Sequence, residues 1–208
     1  LLLAALGGLV LLILAAYGFI ETSVLLGITT KTPWYFTRAA GTVAYLLMAG
    51  SMIWGLLLSS KIMKERVPAS LALVMHNMLS WLAIVLAGLH AAALLFDNYY
   101  RYTVADLTIP FIGPYRPVWV GLGVIGLYIT LAVAISFHVR KKIGQTWWRQ
   151  LHYLTFSAFV LITLHGIGAG TDSENSGLQL VYWGSGLLVL FLTNYRLLTA
   201  RVNKRSRS

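Results

Sequence analysis

The chain of 208 residues contains no cysteine and very little charge. The absence of cysteine excludes disulfide bonds, thiolate-ligated iron–sulfur clusters, c-type haem attachment and cysteine-based zinc sites. Acidic residues are also scarce, with six Asp and Glu in total. Only 11% of the residues are charged, whereas an ordinary soluble domain has about 25%. The composition therefore excludes a typical soluble globular domain.

Hydrophobic residues make up 58% of the chain, and the mean hydropathy is +0.76. The net charge of +10 and the isoelectric point near 10.0 would suggest a nucleic-acid partner in a soluble protein. Here the basic residues stand between long, uncharged apolar stretches, which is typical of a membrane protein. The sequence thus predicts the lipid bilayer as the main partner and no nucleic acid.

Six apolar stretches are long enough to cross a bilayer, which requires about 20 residues in a helix. None of them contains Asp, Glu, Lys or Arg. The first stretch is too long and lacks the basic start of a signal peptide. We therefore predict an all-α integral membrane protein, a single domain over residues 1–208 built as a six-helix bundle. The predicted spans are residues 2–20, 39–59, 71–96, 118–137, 151–169 and 178–195.

The distribution of charge predicts the orientation of the bundle. The segments after spans two, four and six hold 12 of the 16 Lys and Arg residues. The opposite loops hold five of the six acidic residues. Because basic loops stay in the cytoplasm, we expect a multi-pass protein of the plasma (bacterial inner) membrane with both termini cytoplasmic.

Four of the five histidines lie inside predicted spans, where ionisable groups are costly and are candidates for function. His76 and His152 lie near the cytoplasmic ends of spans three and five, and His90 and His165 lie near the outer ends. Both spans run outward, so depth pairs His76 with His152 and His90 with His165. The fifth, His138, lies at the inner end of span four, where a solvated interfacial role is favoured over ligation.

The spacing of the histidines gives two different geometries. His76 and His90 are fourteen residues apart, so on a regular helix they project from nearly one face, about 21 Å apart along the axis. His152 and His165 are thirteen apart, an angular offset of about 140°. Either span five is locally distorted, or the two sites approach it from different sides.

Two stacked pairs of imidazoles favour two six-coordinate b-type haems between spans three and five. Zinc usually takes three or four protein ligands, whereas a haem needs only two axial ones. A single membrane histidine can instead form a hydrogen bond between helices. A transporter of transition metals or protons is a further alternative, although a proton relay would be expected to include Asp or Glu.

With these histidine pairs on spans three and five, the chain resembles the ferric reductase-like transmembrane family. That family includes the membrane portions of NADPH oxidases and eukaryotic ferric reductases. The resemblance covers essentially the whole chain and rests on six spans with histidine pairs fourteen and thirteen residues apart on spans three and five. Four short segments also resemble the stand-alone bacterial members. They are residues 38–41 (RAAG), 115–117 (YRP), 148–153 (WRQLHY) and 164–166 (LHG).

The resemblance implies transmembrane electron transfer through two b-type haems ligated by His76, His90, His152 and His165. It implies an outside acceptor: ferric iron, oxygen or a redox partner protein. Family oxidases and reductases continue into a flavin- and nicotinamide-binding domain, and these 208 residues contain no Gly-rich dinucleotide fingerprint. We therefore expect electrons from a donor protein, a quinol, or a flavin or quinone bound at the membrane surface, as in the similar haem subunit of the periplasmic methionine sulfoxide reductase system.

Whether the chain is itself an enzyme is left open, because it could be an oxidoreductase-type electron-transfer subunit. The alternative is a haem-containing anchor or assembly subunit of a larger membrane redox complex. Haem propionates are anionic and need cationic partners, for which the sequence offers Arg38 and Arg116 on the outer side and Arg149 on the inner side. Each of these arginines could instead anchor the chain at the lipid headgroups.

Overall fold

A computed structural model of the chain describes residues 29–60, 62 and 67–205. Within these residues the structure is entirely helical, without a β-strand. The first predicted span, residues 2–20, lies outside the described residues. The helices are α1 Thr32–Ser59, α2 Ala69–Ala93, α3 Val104–Thr108, α4 Pro117–Ile143, α5 Gln145–His152, α6 Leu154–Ala169 and α7 Ser176–Arg205, and a 3₁₀ turn over Leu94–Phe96 extends α2.

Five helical segments of the described chain are long and apolar enough to cross a membrane, which confirms the multi-pass helical architecture. They are Thr32–Ser59, Ala69–Phe96, Pro117–Ile143, Gln145–Ala169 and Ser176–Thr199, and they correspond to predicted spans two to six. The outward face of α7 is strongly apolar, with Leu180, Trp183 and Phe191 each at least 65% exposed. Large apolar side chains of this kind at the surface are expected where lipid replaces water.

The helices extend beyond the apolar stretches that predicted them. Helix α1 begins at Thr32, seven residues before the predicted span, because Pro33 in its first turn is compatible with a helix start. Helix α4 begins at Pro117 in the same way and continues past the apolar stretch through Arg140. Its basic last turn suits the negative end of the helix dipole. The spans therefore extend at one or both ends into polar sequence.

The bundle is organised as two closely packed helix pairs, α1 with α2 and α4 with α6. Helix α1 also packs against α6 and α7, so it lies at the centre of the described bundle. Tyr45 on α1 is nearly buried, and its hydroxyl lies 2.8 Å from Ser185 Oγ on α7 and 3.2 Å from Thr163 Oγ1 on α6. A polar contact between helices fixes their register, since few other partners exist in an apolar interior.

The fifth span is locally distorted at Tyr153. Helix α5 ends at His152 and α6 begins at Leu154, so the span is two helices joined at one residue. The Tyr153 amide is shared between the carbonyls of Arg149 and Gln150, at 3.2 and 3.1 Å. Such a 3₁₀-like contact tightens the helix and changes the direction of the residues that follow. Of the two explanations for the thirteen-residue spacing, local distortion is the one the structure contains.

Candidate functional site

The four intramembrane histidines form two pairs at two levels of the bundle. The ring centroids of His90 and His165 are 6.1 Å apart, and those of His76 and His152 are 6.2 Å apart. In each pair one imidazole comes from α2, and the other comes from α5 or α6. The pairing predicted from depth along the helices is therefore the pairing found in the fold.

Three of the four imidazoles are oriented by a backbone carbonyl of a neighbouring helix. His90 Nδ1 lies 2.8 Å from the carbonyl oxygen of Thr37, and His165 Nδ1 lies 3.0 Å from that of Trp119. His76 Nδ1 lies 3.1 Å from the carbonyl oxygen of Ser51. A carbonyl can only accept, so Nδ1 must carry the proton, which leaves the Nε2 lone pair available to a metal.

His152 is held differently from the other three. Its Nδ1 is buried, and no residue in the described part of the chain forms a hydrogen bond with it. The indole of Trp148, one turn earlier on α5, stacks on the imidazole with centroids 5.2 Å apart and planes inclined by 28°. The orientation of His152 thus depends on aromatic packing, where the other three histidines use a hydrogen bond.

Each histidine pair borders a cavity of its own. The Arg38 cavity, named after the arginine in its lining, contains His90 and His165 and has a volume of about 280 Å³. The Arg149 cavity contains His76 and His152 and has a volume of about 560 Å³. A water molecule in the liquid occupies about 30 Å³, so both spaces are far larger than a single metal ion needs.

The two cavities share part of their lining. Met48, Ala83, Ile84 and Thr130 border both of them. These residues come from α1, α2 and α4, and three of the four side chains are apolar. The two cavities therefore adjoin each other along the bundle at a mainly apolar boundary.

The predicted cationic residues occupy different environments. Arg38 borders the cavity that bears its name, forms an ion pair with Asp172 and lies 4.1 Å from the ring centroid of Trp34. Arg149 borders the Arg149 cavity, as does Arg196. Arg116 is absent from the lining of either cavity, and its Nη1 donates a 2.6 Å hydrogen bond to the carbonyl of Gly168.

The loop between α2 and α4 covers one end of the Arg38 cavity with tyrosines. Tyr102 is 8% exposed and, with Tyr100 and Tyr115, belongs to the cavity lining. Burial, followed by the nearby carboxylate of Asp97, raises the pKa of Tyr102 to about 12. Its phenol is therefore neutral at physiological pH and able to donate a hydrogen bond.

No third ligand joins either pair in the described part of the chain, since no cluster of three or more His, Cys, Asp or Glu occurs there. His138, at the end of α4, is exposed, and its nearest aromatic neighbours are Trp81 and Phe137, with ring centroids 6.3 and 6.1 Å away. It borders the Arg149 cavity but is not paired with another imidazole among the described residues.

Sequence reasoning missed the glycines that contact the imidazoles. A Cβ added to Gly41 or Gly123 would lie 2.7 Å from Nδ1 of His90 or His165, and one added to Gly55 would lie 3.3 Å from Cε1 of His76. No signal within a single span identifies these glycines, because the histidine that each one contacts lies on another helix.

No known family model, curated protein or solved structure matches this chain. The resemblance to the ferric reductase-like family therefore rests on the spans, the spacing of the histidines and the four short segments of the sequence.

Proposed function

We propose that the chain binds two b-type haems, one between His90 and His165 and one between His76 and His152, and conducts electrons across the membrane. The observation that carries this proposal is the matched separation of the two imidazole pairs. A metal–imidazole bond is about 2.0 Å long and the centre of the ring lies about 1.1 Å beyond the nitrogen, so two imidazoles that would hold one iron between them would have centroids about 6.2 Å apart. The separations in the structure are 6.1 and 6.2 Å.

The donor set also fits haem better than a bare ion. Both imidazoles of the His90–His165 pair direct Nδ1 to a carbonyl, as does His76 in the other pair, and Nε2 of these neutral rings would be available to hold a porphyrin iron. Zinc would require at least one further protein ligand in most sites. When bound, such a haem supplies an iron that alternates between the ferrous and ferric states and so carries one electron.

The residues around the pairs would control the electrostatics of the two sites. The shared, mainly apolar lining of Met48, Ala83, Ile84 and Thr130 would lie between the two sites. Arg38 and Arg149 would provide positive charge for anionic propionates at opposite ends of the bundle. Arg116 would act at the same end as Arg38, through the loop that it ties to Gly168.

The direction of transfer in the proposal follows from the resemblance to the ferric reductase-like family, and the charge asymmetry of the loops indicates which side is cytoplasmic. Electrons enter on the basic side, taken as cytoplasmic, from a redox protein, a quinol or a surface-bound flavin. They leave on the opposite side to ferric iron, oxygen or a redox partner. The proposed location is the plasma (bacterial inner) membrane.

Haem content of the purified protein tests the proposal. The wild-type chain should show a reducible low-spin b-type spectrum with about two haems per chain. His90→Ala and His165→Ala should each leave one haem, and so should His76→Ala and His152→Ala. His138→Ala is the matched control and should keep two. A colourless wild-type protein that binds zinc would refute the haem proposal and favour transport.

A measurement of electron transfer across a bilayer distinguishes an electron conduit from an anchor subunit. In vesicles containing an internal reductant and an external ferric chelate, the wild-type chain should reduce the chelate. A variant retaining one haem should not, because the chain of carriers is then broken. If the wild type holds two haems but reduces no external acceptor, the anchor alternative is favoured.

A further inference from the structure

One local arrangement recurs at three of the four intramembrane histidines. In each case Nδ1 bonds to the carbonyl of one residue of a neighbouring helix, and a glycine stands four residues later on that helix. The carbonyls belong to Thr37, Ser51 and Trp119. The corresponding glycines are Gly41, Gly55 and Gly123.

The spacing of four residues has a direct physical reason. In an α-helix the carbonyl of residue i already accepts the amide of residue i+4, so the side chain of residue i+4 lies beside that oxygen. A glycine at residue i+4 leaves room for a second donor to approach the same carbonyl closely. At Gly41 and Gly123 an added Cβ would lie 2.7 Å from the imidazole Nδ1, closer than non-bonded atoms pack.

We propose that Gly41, Gly55 and Gly123 are positioning residues that expose the carbonyl four residues earlier to the histidine. The inference rests on the proposed haem sites and adds to them the contact that orients the histidine ligands. The carbonyl bond selects the Nδ1-protonated form and holds the ring, so that Nε2 is the nitrogen presented to iron. Partners of this kind also raise the basicity of the ligand, and losing one typically costs about 10- to 100-fold in metal affinity.

The carbonyl–glycine arrangement differs between the two sites. Both ligands of the His90–His165 site are held in this way, through Gly41 and Gly123, whereas only His76 is held so in the other site. The added Cβ at Gly55 would lie 3.3 Å from the His76 ring, so a small shift of that ring accommodates it. The effects of substitution should therefore be larger at the His90–His165 site.

Alanine substitutions test the inference, with two other helical glycines of the bundle as controls. Gly50 on α1 and Gly88 on α2 are helical glycines whose added Cβ would meet nothing within 4 Å. Gly41→Ala and Gly123→Ala should weaken haem binding at the His90–His165 site about 10- to 100-fold and raise the midpoint potential of any haem retained there. Gly55→Ala should have a smaller effect, confined to the His76–His152 site. Gly50→Ala and Gly88→Ala should retain two haems with unchanged potentials.

A measurement on the wild-type protein avoids dependence on the folding of the variants. In the reduced protein, whose low-spin ferrous iron is diamagnetic, nitrogen-15 NMR of labelled histidine reports each Nδ1 proton. Three of the four ligand Nδ1–H groups should exchange slowly with water, and that of His152, which has no acceptor, should exchange faster. Equal exchange at all four would overturn the inference.

The outcomes separate this inference from the proposed function. A wild-type protein without haem would overturn both. Two haems in the wild type, together with Gly41→Ala and Gly123→Ala variants that match the Gly50→Ala control in haem content and potential, would overturn the role of the glycines and leave the haem sites standing.

Discussion

The imidazole planes of His90 and His165 are inclined to each other by 78°. The other pair, His76 and His152, has an inclination of 71°. The orientation of the two axial rings influences the electronic structure of a low-spin ferric haem. Parallel rings split the two iron orbitals that interact with the ligands, whereas perpendicular rings leave them nearly equal in energy.

Near-perpendicular rings predict a specific electron paramagnetic resonance signal. Both haems of the oxidised protein should give highly anisotropic low-spin spectra with a large maximum g value, measured on frozen protein at liquid-helium temperature. The His138→Ala variant should give the same two signals. Rhombic spectra of the kind given by parallel imidazoles would contradict the ring orientations described above.

The stacking of Trp148 on His152 provides a second prediction, which concerns one site only. Trp148 substitutes for the missing hydrogen bond, because its indole covers the imidazole at a centroid distance of 5.2 Å. Trp148→Ala should therefore release the haem of the His76–His152 site about 2- to 13-fold faster, since an aromatic contact is worth about 0.5–1.5 kcal/mol beyond its buried area. Haem transfer to apomyoglobin measures the rate of release.

Two controls distinguish stacking from a general loss of stability. Trp148→Phe keeps an aromatic face on His152, so haem release should stay close to the wild-type rate. The indole Nε1 that is lost forms no hydrogen bond with the described residues. Trp147→Ala removes the neighbouring tryptophan, which is 68% exposed, and should leave haem release unchanged. If Trp148→Ala accelerated release equally from both sites, the assignment of Trp148 to His152 would be wrong.

The depth of each histidine is predictable from sequence, whereas the break at Tyr153 is not. Helical rise fixes where a residue lies along its span, so the levels of His76 and His90 follow from the positions of the spans. The break after His152 lies in residues 147–156, which contain neither Pro nor Gly. Without a local signal for a distortion, the angular mismatch of the fifth span could be noticed but not resolved.

Contacts between helices are the part of the site that the sequence does not specify. Which carbonyl accepts from His165 depends on α4 packing against α6, and helix pairing follows from the fit of whole surfaces. The same holds for Arg38 and Asp172, which are 134 positions apart. The sequence identifies Arg38 as a cation near the end of a span. Its carboxylate partner, Asp172, lies in the loop between α6 and α7.

The ion pair of Arg38 with Asp172 makes the role of Arg38 testable. The two side chains are 29% and 37% exposed and both border the Arg38 cavity, so the carboxylate competes with any anion in the cavity for the guanidinium. If Arg38 balances the charge of propionates, Arg38→Gln should speed haem release from the His90–His165 site about 2- to 5-fold, the range expected for a partly exposed ion pair.

Asp172→Asn separates this role from a structural one. This variant also breaks the ion pair, but it keeps the charge of Arg38 and removes the carboxylate that competes with the propionates for it. Haem release should therefore stay the same or become slower. Arg101→Gln, which removes an exposed arginine outside the cavity lining, should have no effect. Equal acceleration by Arg38→Gln and Asp172→Asn would mean that the pair only joins α1 to the loop before α7. No effect from either would assign Arg38 to the lipid headgroups, because an interfacial anchor does not act on the cavity.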